Sequence, residues 1–216
     1  MFKLQIFDFD GTLVRTPSDS PENRRKYEKA HGLPWLISKS ESKQLTRKHK
    51  RHIGMRRGWW GRKETLEPPL VPDPTPADMF ITSTCEALLA SKADPDCATF
   101  IMTGRHRGIS NQVLRILGDG GLVKVVVNPP KDDKLFIDPA DEDAQVYFFG
   151  DDGPRPSGSK PASTLPWKIW MIDQFLLLYP ETQLVEIWED RPEHVEEFRQ
   201  LNSCIEPQVK VHFVKG

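Results

Sequence analysis

The fold class follows from one stretch near the start of the chain, Ile6-Phe7-Asp8-Phe9-Asp10-Gly11-Thr12-Leu13. Its apolar side chains predict a buried strand over about residues 3–9. Two carboxylates lie two positions apart at the end of this strand, and Gly11 then allows the chain to turn sharply. Side chains two positions apart on a strand point to the same side, so Asp8 and Asp10 should project together.

This pair of acids has two interpretations. Close carboxylates repel each other and therefore favour a divalent cation or a shared proton. Open parallel sheets bind ligands at the carboxyl edge, where this pair would lie. Alternatively, Asp10-Gly11 is an ordinary turn and both acids are solvated. The choice depends on what the rest of the chain brings to the same edge.

The composition suits one substantial α/β domain with an insertion, or two small domains, in a chain of 216 residues. The formal net charge is −1, but the charge is distributed unevenly. Residues 39–63 contain ten Lys or Arg and one acid, Glu41, which leaves 20 basic and 30 acidic residues elsewhere. The sequence therefore predicts a cationic segment on an acidic body.

The cysteines and the apolar segments bear on the compartment. Cys85, Cys97 and Cys204 are widely spaced, which argues against a disulfide framework or a zinc site and fits a reducing environment. The chain starts without a basic-then-apolar leader. Its most apolar run, Ile169–Tyr179, is too short to span a bilayer and contains Asp173. We expect a soluble intracellular protein, cytoplasmic or nuclear, with no membrane contact.

After residue 76 the hydrophobic pattern alternates between strands and helices. It predicts strands over about residues 98–102, 123–127, 145–149, 184–188 and 209–214. It predicts helices over about residues 77–91, 107–118, 164–179 and 192–201, with Thr164 as a cap. The expected buried positions are Phe80, Cys85, Leu88 and Leu89 in the first helix and Ile109, Val113, Ile116 and Leu117 in the second. This order predicts a Rossmann-like α/β fold with a parallel sheet covered on both faces.

Two intervals do not fit the alternation. Residues 14–76 hold eight prolines together with the cationic segment, and are predicted to be irregular. Residues 128–163 are polar and contain Gly and Pro, which predicts either a long loop or a second small cap.

Four groups of polar residues fall at predicted strand ends or helix starts. They are Asp8 with Asp10, Thr103, Lys168, and Glu189 with Asp190. Each has an ordinary explanation, because Thr103 could belong to a helix-entry turn, Lys168 could be a surface lysine and Asp190 could favour a helix N-terminus. Together they supply the parts of phosphoryl-transfer chemistry.

This set and its order resemble the haloacid dehalogenase (HAD) superfamily of phosphohydrolases. Asp8-Phe9-Asp10-Gly11-Thr12-Leu13 matches the first motif, and Thr103, Lys168 and Glu189-Asp190 match the next three. The resemblance covers nearly the whole chain apart from residues 14–76. It implies a HAD core domain from residues 1–13 and 77–216, with a small irregular cap formed by residues 14–76.

A narrower likeness is to the HAD domain of Swiss Army Knife RNA repair-like proteins. The segments that carry it are Gly58-Trp59-Trp60, Thr103-Gly104-Arg105, Thr164-x-x-Trp167-Lys168 and Glu189-Asp190-Arg191-x-x-His194-x-x-x-Phe198. This likeness suggests the removal of phosphate from nucleic-acid ends.

The resemblance implies a catalytic role for several residues. Asp8 would be the nucleophile that forms an aspartyl-phosphate. Asp10 would protonate the leaving oxygen and then deprotonate the attacking water. Thr103 would hold phosphate oxygens, and Lys168 would neutralise the charge of the transferring group.

The resemblance also implies a Mg²⁺ site. The carboxylates of Asp8 and Asp190 and the backbone carbonyl of Asp10 would supply the oxygen ligands that Mg²⁺ prefers. Glu189 would hold a metal-bound water. The residues beside the phosphate would be Gly11, Thr12, Gly104 and Arg105. Many relatives carry a second aspartate four residues after Asp190, whereas this chain has His194, which could orient Asp190 or a metal-bound water or could lie on a helix surface.

The cationic segment lies close to Trp35, Trp59 and Trp60, a combination that suits a phosphate backbone with stacked bases. An insertion after the first motif forms a cap in HAD proteins, which makes Arg56, Arg57, Trp59 and Trp60 candidate substrate contacts. The alternatives are a solvated helix face, a nuclear targeting patch, or a flap whose tryptophans only pack on the core.

Three functions are consistent with this sequence. The preferred one is a Mg²⁺-dependent phosphomonoesterase that removes a terminal phosphate from RNA or DNA. The second is a phosphatase for a small metabolite or nucleotide. The third is a catalytically silent fold that binds nucleic acid through the cationic segment.

Overall fold

The computed structural model describes residues 1–32, 59–127, 135–137, 145–151 and 163–215. The strands are β1 (Lys3–Asp8), β2 (Cys97–His106), β3 (Val125–Val127), β4 (Leu135–Ile137), β5 (Gln145–Phe149), β6 (Leu184–Glu189) and β7 (Gln208–Phe213). Five of them form one sheet in the order β5-β2-β1-β6-β7, and every neighbouring pair is parallel. The predicted Rossmann-like parallel sheet is confirmed.

Five α-helices lie within the described residues. They are α1 (Pro21–His31), α2 (Thr82–Ala93), α3 (Ser110–Asp119), α4 (Thr164–Leu178) and α5 (Pro192–Gln200). Short 3₁₀ turns lie at Trp59–Gly61, Lys63–Leu66, Ala77–Met79, Arg107–Ile109 and Leu201–Ser203. No helix among the described residues is long and apolar enough to cross a membrane.

Apolar cores cover both faces of the sheet. The alternation along β1 sends Leu4 and Ile6 to one face, where they pack with side chains of α4 and α5. Phe7 and Phe9 point to the other face and pack with α2 and α3. Asp8 has the same parity as Leu4 and Ile6, so its carboxylate emerges on the side of the sheet that α4 covers.

Helix α1 corrects the prediction that residues 14–76 are irregular. The Ser20 side chain accepts a hydrogen bond from the Asn23 backbone N–H, Pro21 occupies the first turn, and Gly32 ends the helix at a φ of 61°. These local start and stop signals outweigh the proline count, because proline at a first helical turn interrupts no hydrogen bond. Tyr27 is the buried residue of this helix.

The predicted helix 77–91 also needs correction. Helix α2 begins at Thr82, after a separate 3₁₀ turn, and Leu89 is 44% exposed rather than buried. The buried stripe of α2 includes Ser91, whose hydroxyl pairs with that of Thr99 on β2. Because Ser91 is polar but buried, the apolar residues alone do not mark the buried face of this helix. In the second predicted helix, the expected inward positions are all buried, namely Ile109, Val113, Ile116 and Leu117.

Two smaller differences lie outside the main sheet. The strand expected near residues 123–127 is β3, which pairs antiparallel with β4 in a separate two-stranded sheet. Ser163, not Thr164, is the N-cap of α4, and its side chain makes no capping hydrogen bond.

Candidate active site

The carboxyl ends of β1 and β6 are joined by a buried lysine from α4. Lys168 Nζ lies 2.8 Å from Asp8 Oδ1 and 2.8 Å from Glu189 Oε2. The three side chains are almost completely buried. Burial lowers the pKa of Lys168, but the two carboxylates outweigh it and hold that pKa above its usual value. The lysine is therefore a fixed positive charge beside the end of β1.

Glu189 organises the surroundings of this lysine. Besides Lys168, its carboxylate accepts hydrogen bonds from the backbone N–H groups of Asp190 and Arg191 and from Nδ1 of His194, at 3.1–3.3 Å. Burial alone would raise the pKa of Glu189, but Lys168 and His194 hold it well below its usual range. Sequence reasoning placed a metal-bound water on Glu189, whereas its oxygens are engaged by protein donors.

His194 is buried, so the interpretation that it lies on a helix surface is wrong. Its contact with Glu189 requires the tautomer that carries a proton on Nδ1. The Nδ1 atom of His194 therefore contacts Glu189, the neighbour of Asp190.

Asp8 and Asp190 form a cluster of negative charge. Together with Glu189, each offers a carboxylate oxygen within 4.8 Å of the other two. Burial, with the neighbouring carboxylates, raises the pKa of Asp8 to about 6 and that of Asp190 to about 7. Within the described residues, Asp8 Oδ2 and Asp190 Oδ1 are buried without a hydrogen-bond partner.

The donor set at this point fits a divalent cation. Unpartnered buried carboxylate oxygens are costly, and a hard cation is the ligand that an all-oxygen set accepts best. Because Glu189 is engaged by Lys168 and His194, the oxygens available to such a cation belong to Asp8 and Asp190.

Gly11 brings the loop after β1 against Asp190. Its φ is +72°, and a Cβ atom at this position would collide with the Asp190 carboxylate. The glycine is therefore required both by the left-handed backbone and by the close approach of the acid.

Asp10 is not one of the three acids of this cluster, and its carboxylate accepts hydrogen bonds from two residues. Nε and Nη2 of Arg105 form a bidentate pair with its carboxylate, at 2.7–3.1 Å, and the Thr16 hydroxyl donates to Oδ1 at 2.6 Å. Sequence reasoning assigned Arg105 to phosphate binding. The structure instead directs its guanidinium at Asp10, with none of its surface exposed.

Two buried hydroxyls accompany the acids. Thr12 belongs to the loop after β1, and its Oγ1 has no hydrogen-bond partner within the described residues. Thr103 Oγ1, on β2, accepts from the Arg105 backbone N–H, which leaves its own hydrogen available for donation. Both hydroxyls therefore keep a hydrogen for donation at this edge of the sheet.

A cleft of about 260 Å³ opens at this edge. Its lining combines acids, hydroxyls, backbone at glycines, a guanidinium and one indole, from Asp10, Gly11, Thr16, Ser18, Trp60, Gly104, Thr164, Asp190 and Arg191. The cleft therefore gives a ligand access to Asp10 and Asp190 at the same time.

The two adjacent tryptophans have different environments. Trp59 is 1% exposed, donates from Nε1 to the Pro17 carbonyl at 2.7 Å and packs with Tyr27. Trp60 is 46% exposed on the cleft, and the Arg105 guanidinium lies 5.1 Å from its ring centroid. We call residues 59–66 the flap. Arg56 and Arg57, the other predicted substrate contacts of the cationic segment, lie outside the described residues.

Sequence reasoning assigned no role to several residues of this site, among them Thr16 and Arg191. Thr16 bonds the Asp10 carboxylate, and Arg191 lines the cleft, where it lowers the pKa of Asp8 against the larger effect of burial. A signal existed for Arg191, because it directly follows the fourth-motif acids. None existed for Thr16, because its contact depends on how the loop after β1 folds back.

Comparison with protein families identifies a matching family model. The family described as HAD domain family 1 in Swiss Army Knife RNA repair proteins matches residues 35–214, a range that begins after Asp8 and Asp10. Comparison with curated proteins and with solved structures found no match. The matched range covers most of the chain and contains Thr103, Lys168 and Asp190. This protein therefore belongs to the HAD domain family found in Swiss Army Knife RNA repair proteins.

Proposed function

We propose that this protein is a Mg²⁺-dependent phosphomonoesterase that works through an aspartyl-phosphate and removes terminal phosphate from nucleic acid. Membership of the HAD family suggests a phosphatase-like hydrolase and a phosphorylated substrate. The observation that carries the proposal is the pair of unpartnered buried oxygens on Asp8 and Asp190 beside the ammonium group of Lys168. Such a site binds a phosphate only if cations offset its negative charge.

In the first step, a lone pair on an Asp8 carboxylate oxygen forms a bond to phosphorus. The bond from phosphorus to the ester oxygen breaks, and its electron pair stays on that oxygen. The oxygen takes a proton from Asp10 and leaves as an alcohol. Lys168 offsets the charge of the transferring group, and the hydroxyls of Thr12 and Thr103 donate to its oxygens.

In the second step, Asp10 accepts a proton from water while the water oxygen attacks phosphorus. The bond from phosphorus to Asp8 breaks, and its electron pair restores the Asp8 carboxylate. Asp8 and Asp190, with the Asp10 backbone carbonyl, would hold Mg²⁺, which when bound supplies positive charge to the phosphate oxygens. The products are inorganic phosphate and the free hydroxyl end.

The flap supports the choice of a nucleic-acid substrate. An exposed indole at the mouth of a cleft that contains acids and hydroxyls suits a base next to a terminal phosphate. Arg191 on the same cleft suits the adjoining phosphodiester. In this proposal residues 14–76 form the cap, and Arg56 and Arg57 contact further phosphates of the nucleic-acid substrate.

A phosphate-release screen tests the activity. The substrates are p-nitrophenyl phosphate, small phosphorylated metabolites, and oligonucleotides of RNA and DNA phosphorylated at the 3′ or 5′ end. Asp8→Asn is the blank, since it removes the nucleophile and keeps the shape. We expect Mg²⁺-dependent release that is fastest with one class of oligonucleotide end.

Other outcomes separate the alternatives. Turnover of metabolites alone would identify a small-molecule phosphatase and overturn the nucleic-acid substrate. Oligonucleotide binding that weakens steeply with salt, without phosphate release from any substrate, would instead support a catalytically silent fold that binds nucleic acid. Trp60→Ala should raise KM more for the oligonucleotide than for glycerol phosphate, because glycerol has no ring to stack.

A further inference from the structure

Arg105 lies between Asp10 and the flap. Its Nε and Nη2 atoms donate to the Asp10 carboxylate. Its Nη1 atom points the other way and donates to the flap, at 3.0 Å to Thr65 Oγ1 and 3.3 Å to the Trp60 carbonyl oxygen. One planar guanidinium therefore connects Asp10, the candidate proton-transfer group, to flap residues that precede Arg105 by 40 and 45 positions.

The flap has further attachments on the same strand. His106 Nε2 lies 3.1 Å from the Gly61 carbonyl oxygen, which places the ring within hydrogen-bond distance of the flap backbone. The Trp60 ring lies over the Arg105 guanidinium. Arg105 and His106, at the end of β2, therefore contact the flap directly, and a shift of the flap would disturb Arg105.

The two oxygens of the Asp10 carboxylate are not equivalent. Oδ1 accepts from the Thr16 hydroxyl and from both Nε and Nη2 of Arg105, whereas Oδ2 accepts from Nε alone among the described residues. A carboxylate oxygen accepts about two hydrogen bonds, so Oδ1 is saturated and Oδ2 has a lone pair to spare. Because Asp10 also lines the cleft, Oδ2 is the oxygen free to exchange a proton there.

We propose that Arg105 is a positioning residue that couples the docked flap to the orientation of the Asp10 carboxyl group, with Oδ2 as the oxygen that exchanges the proton. This proposal rests on the proposed function, since it concerns the proton given to the leaving oxygen. Lysine at residue 105 keeps the charge but has a single nitrogen, which cannot hold both Asp10 and the flap.

The dependence of rate on the leaving group distinguishes this role from a structural one. When the bond from phosphorus to the ester oxygen breaks, an alkoxide needs a proton from Asp10, whereas a nitrophenolate is stable without one. A misdirected Asp10 therefore slows alkyl esters more than nitrophenyl esters. A general loss of structure slows both equally.

The experiment compares p-nitrophenyl, phenyl and benzyl phosphate, which are similar in shape and differ in how much the leaving oxygen needs a proton. The measured quantity is kcat/KM, which reports the first phosphoryl transfer and excludes the later attack of water. Arg105→Lys should lower kcat/KM about 10²–10³-fold for benzyl phosphate and less than about tenfold for p-nitrophenyl phosphate. Arg107→Lys is the matched control, because Arg107 pairs with Asp151 away from Asp10.

A second variant covers the case in which Arg105→Lys fails to fold. Thr65→Val removes one flap acceptor of Arg105 at nearly constant volume, and it should steepen the same leaving-group dependence to a smaller extent. It should also speed amide hydrogen exchange in residues 61–66. An equal loss for all three esters in both variants, or no change in either, would overturn the proposal. Failure of the unaltered protein to hydrolyse any ester would instead reject the proposed function itself.

Discussion

The ammonium group of Lys168 lies 2.8 Å from the Asp8 carboxylate, and both side chains are shielded from solvent. A buried charge is tolerated only when it is paired, so each of these residues needs the other for the stability of the fold. The same contact places a cation beside the proposed nucleophile. In the proposed function, stability and activity therefore both depend on this ion pair, and substitutions can separate the two effects.

Replacement of the lysine by an apolar residue of similar length should damage both properties. Lys168→Met leaves the carboxylates of Asp8 and Glu189 buried without their cation, which should cost about 3–5 kcal/mol of unfolding free energy. Phosphate release should fall at least about 10²–10³-fold. Denaturant unfolding and a phosphate-release assay measure the two effects.

The double variant Lys168→Met with Glu189→Gln separates them. Removal of one of the two uncompensated charges should recover part of the stability, whereas activity should stay lost because Lys168 is still absent. Lys26→Met is the control, since Lys26 forms an exposed pair with Glu22. Full activity in the double variant would exclude a catalytic role for Lys168.

Gly11 and Gly121 both have a positive φ, so comparing alanine substitutions at the two positions separates the clash at Gly11 from backbone strain. Gly11→Ala and Gly121→Ala both force a left-handed backbone on alanine, at a cost of about 1–2 kcal/mol each. A Cβ atom at Gly121 meets no atom within 4 Å, whereas at Gly11 it collides with the Asp190 carboxylate. Gly11→Ala should therefore abolish turnover and the stabilisation by Mg²⁺, and Gly121→Ala should keep both. Similar activities of the two variants would contradict the placement of Asp190.

The raised pKa of Asp190, about 7, predicts how stability depends on pH without a divalent cation. Since the unfolded chain ionises this group at about 4, folding is penalised increasingly as the pH rises from about 4 to 7, and constantly above. Asp190→Asn should therefore be more stable than the unaltered protein at pH 8 in EDTA, by about 1–2 kcal/mol after allowance for partial exposure. The difference should shrink towards pH 5.

Addition of Mg²⁺ should reduce that stability difference. The cation offsets the charge of Asp8 and Asp190 in the unaltered protein, so its melting temperature should rise at pH 8, whereas that of Asp190→Asn should rise less. Thermal unfolding with Mg²⁺ against EDTA measures both. An equal response of the two proteins would show that Asp190 does not hold the ion.

The adjacent tryptophans should respond differently to the same change. Trp59→Phe loses a buried hydrogen bond to the Pro17 carbonyl and part of a packed ring, which should cost about 1–3 kcal/mol. Trp60→Phe changes an exposed ring and should stay within about 0.5 kcal/mol. Equilibrium unfolding of both variants checks this contrast, and equal destabilisation would contradict it.

Much of the fold could be predicted from the spacing of apolar residues along the sequence. The apolar run before Asp8 predicted β1, and the 3.6-residue spacing of Val113, Ile116 and Leu117 predicted the buried face of α3. The order of strands and helices then predicted the parallel sheet and the edge at which polar residues would gather. The helix after residue 20 was missed because proline count was weighed above its capping signals.

By itself, the sequence determined which elements form, since periodicity, capping and turn residues act over a few positions. Only the tertiary structure decided what the polar side chains contact. Arg105 bonds Asp10 across 95 positions, His194 reaches Glu189 rather than Asp190, and Trp60 rather than Trp59 faces the cleft. Such contacts depend on how distant segments pack. No local sequence pattern determines whether a buried cationic side chain pairs with a carboxylate or contacts a bound phosphate.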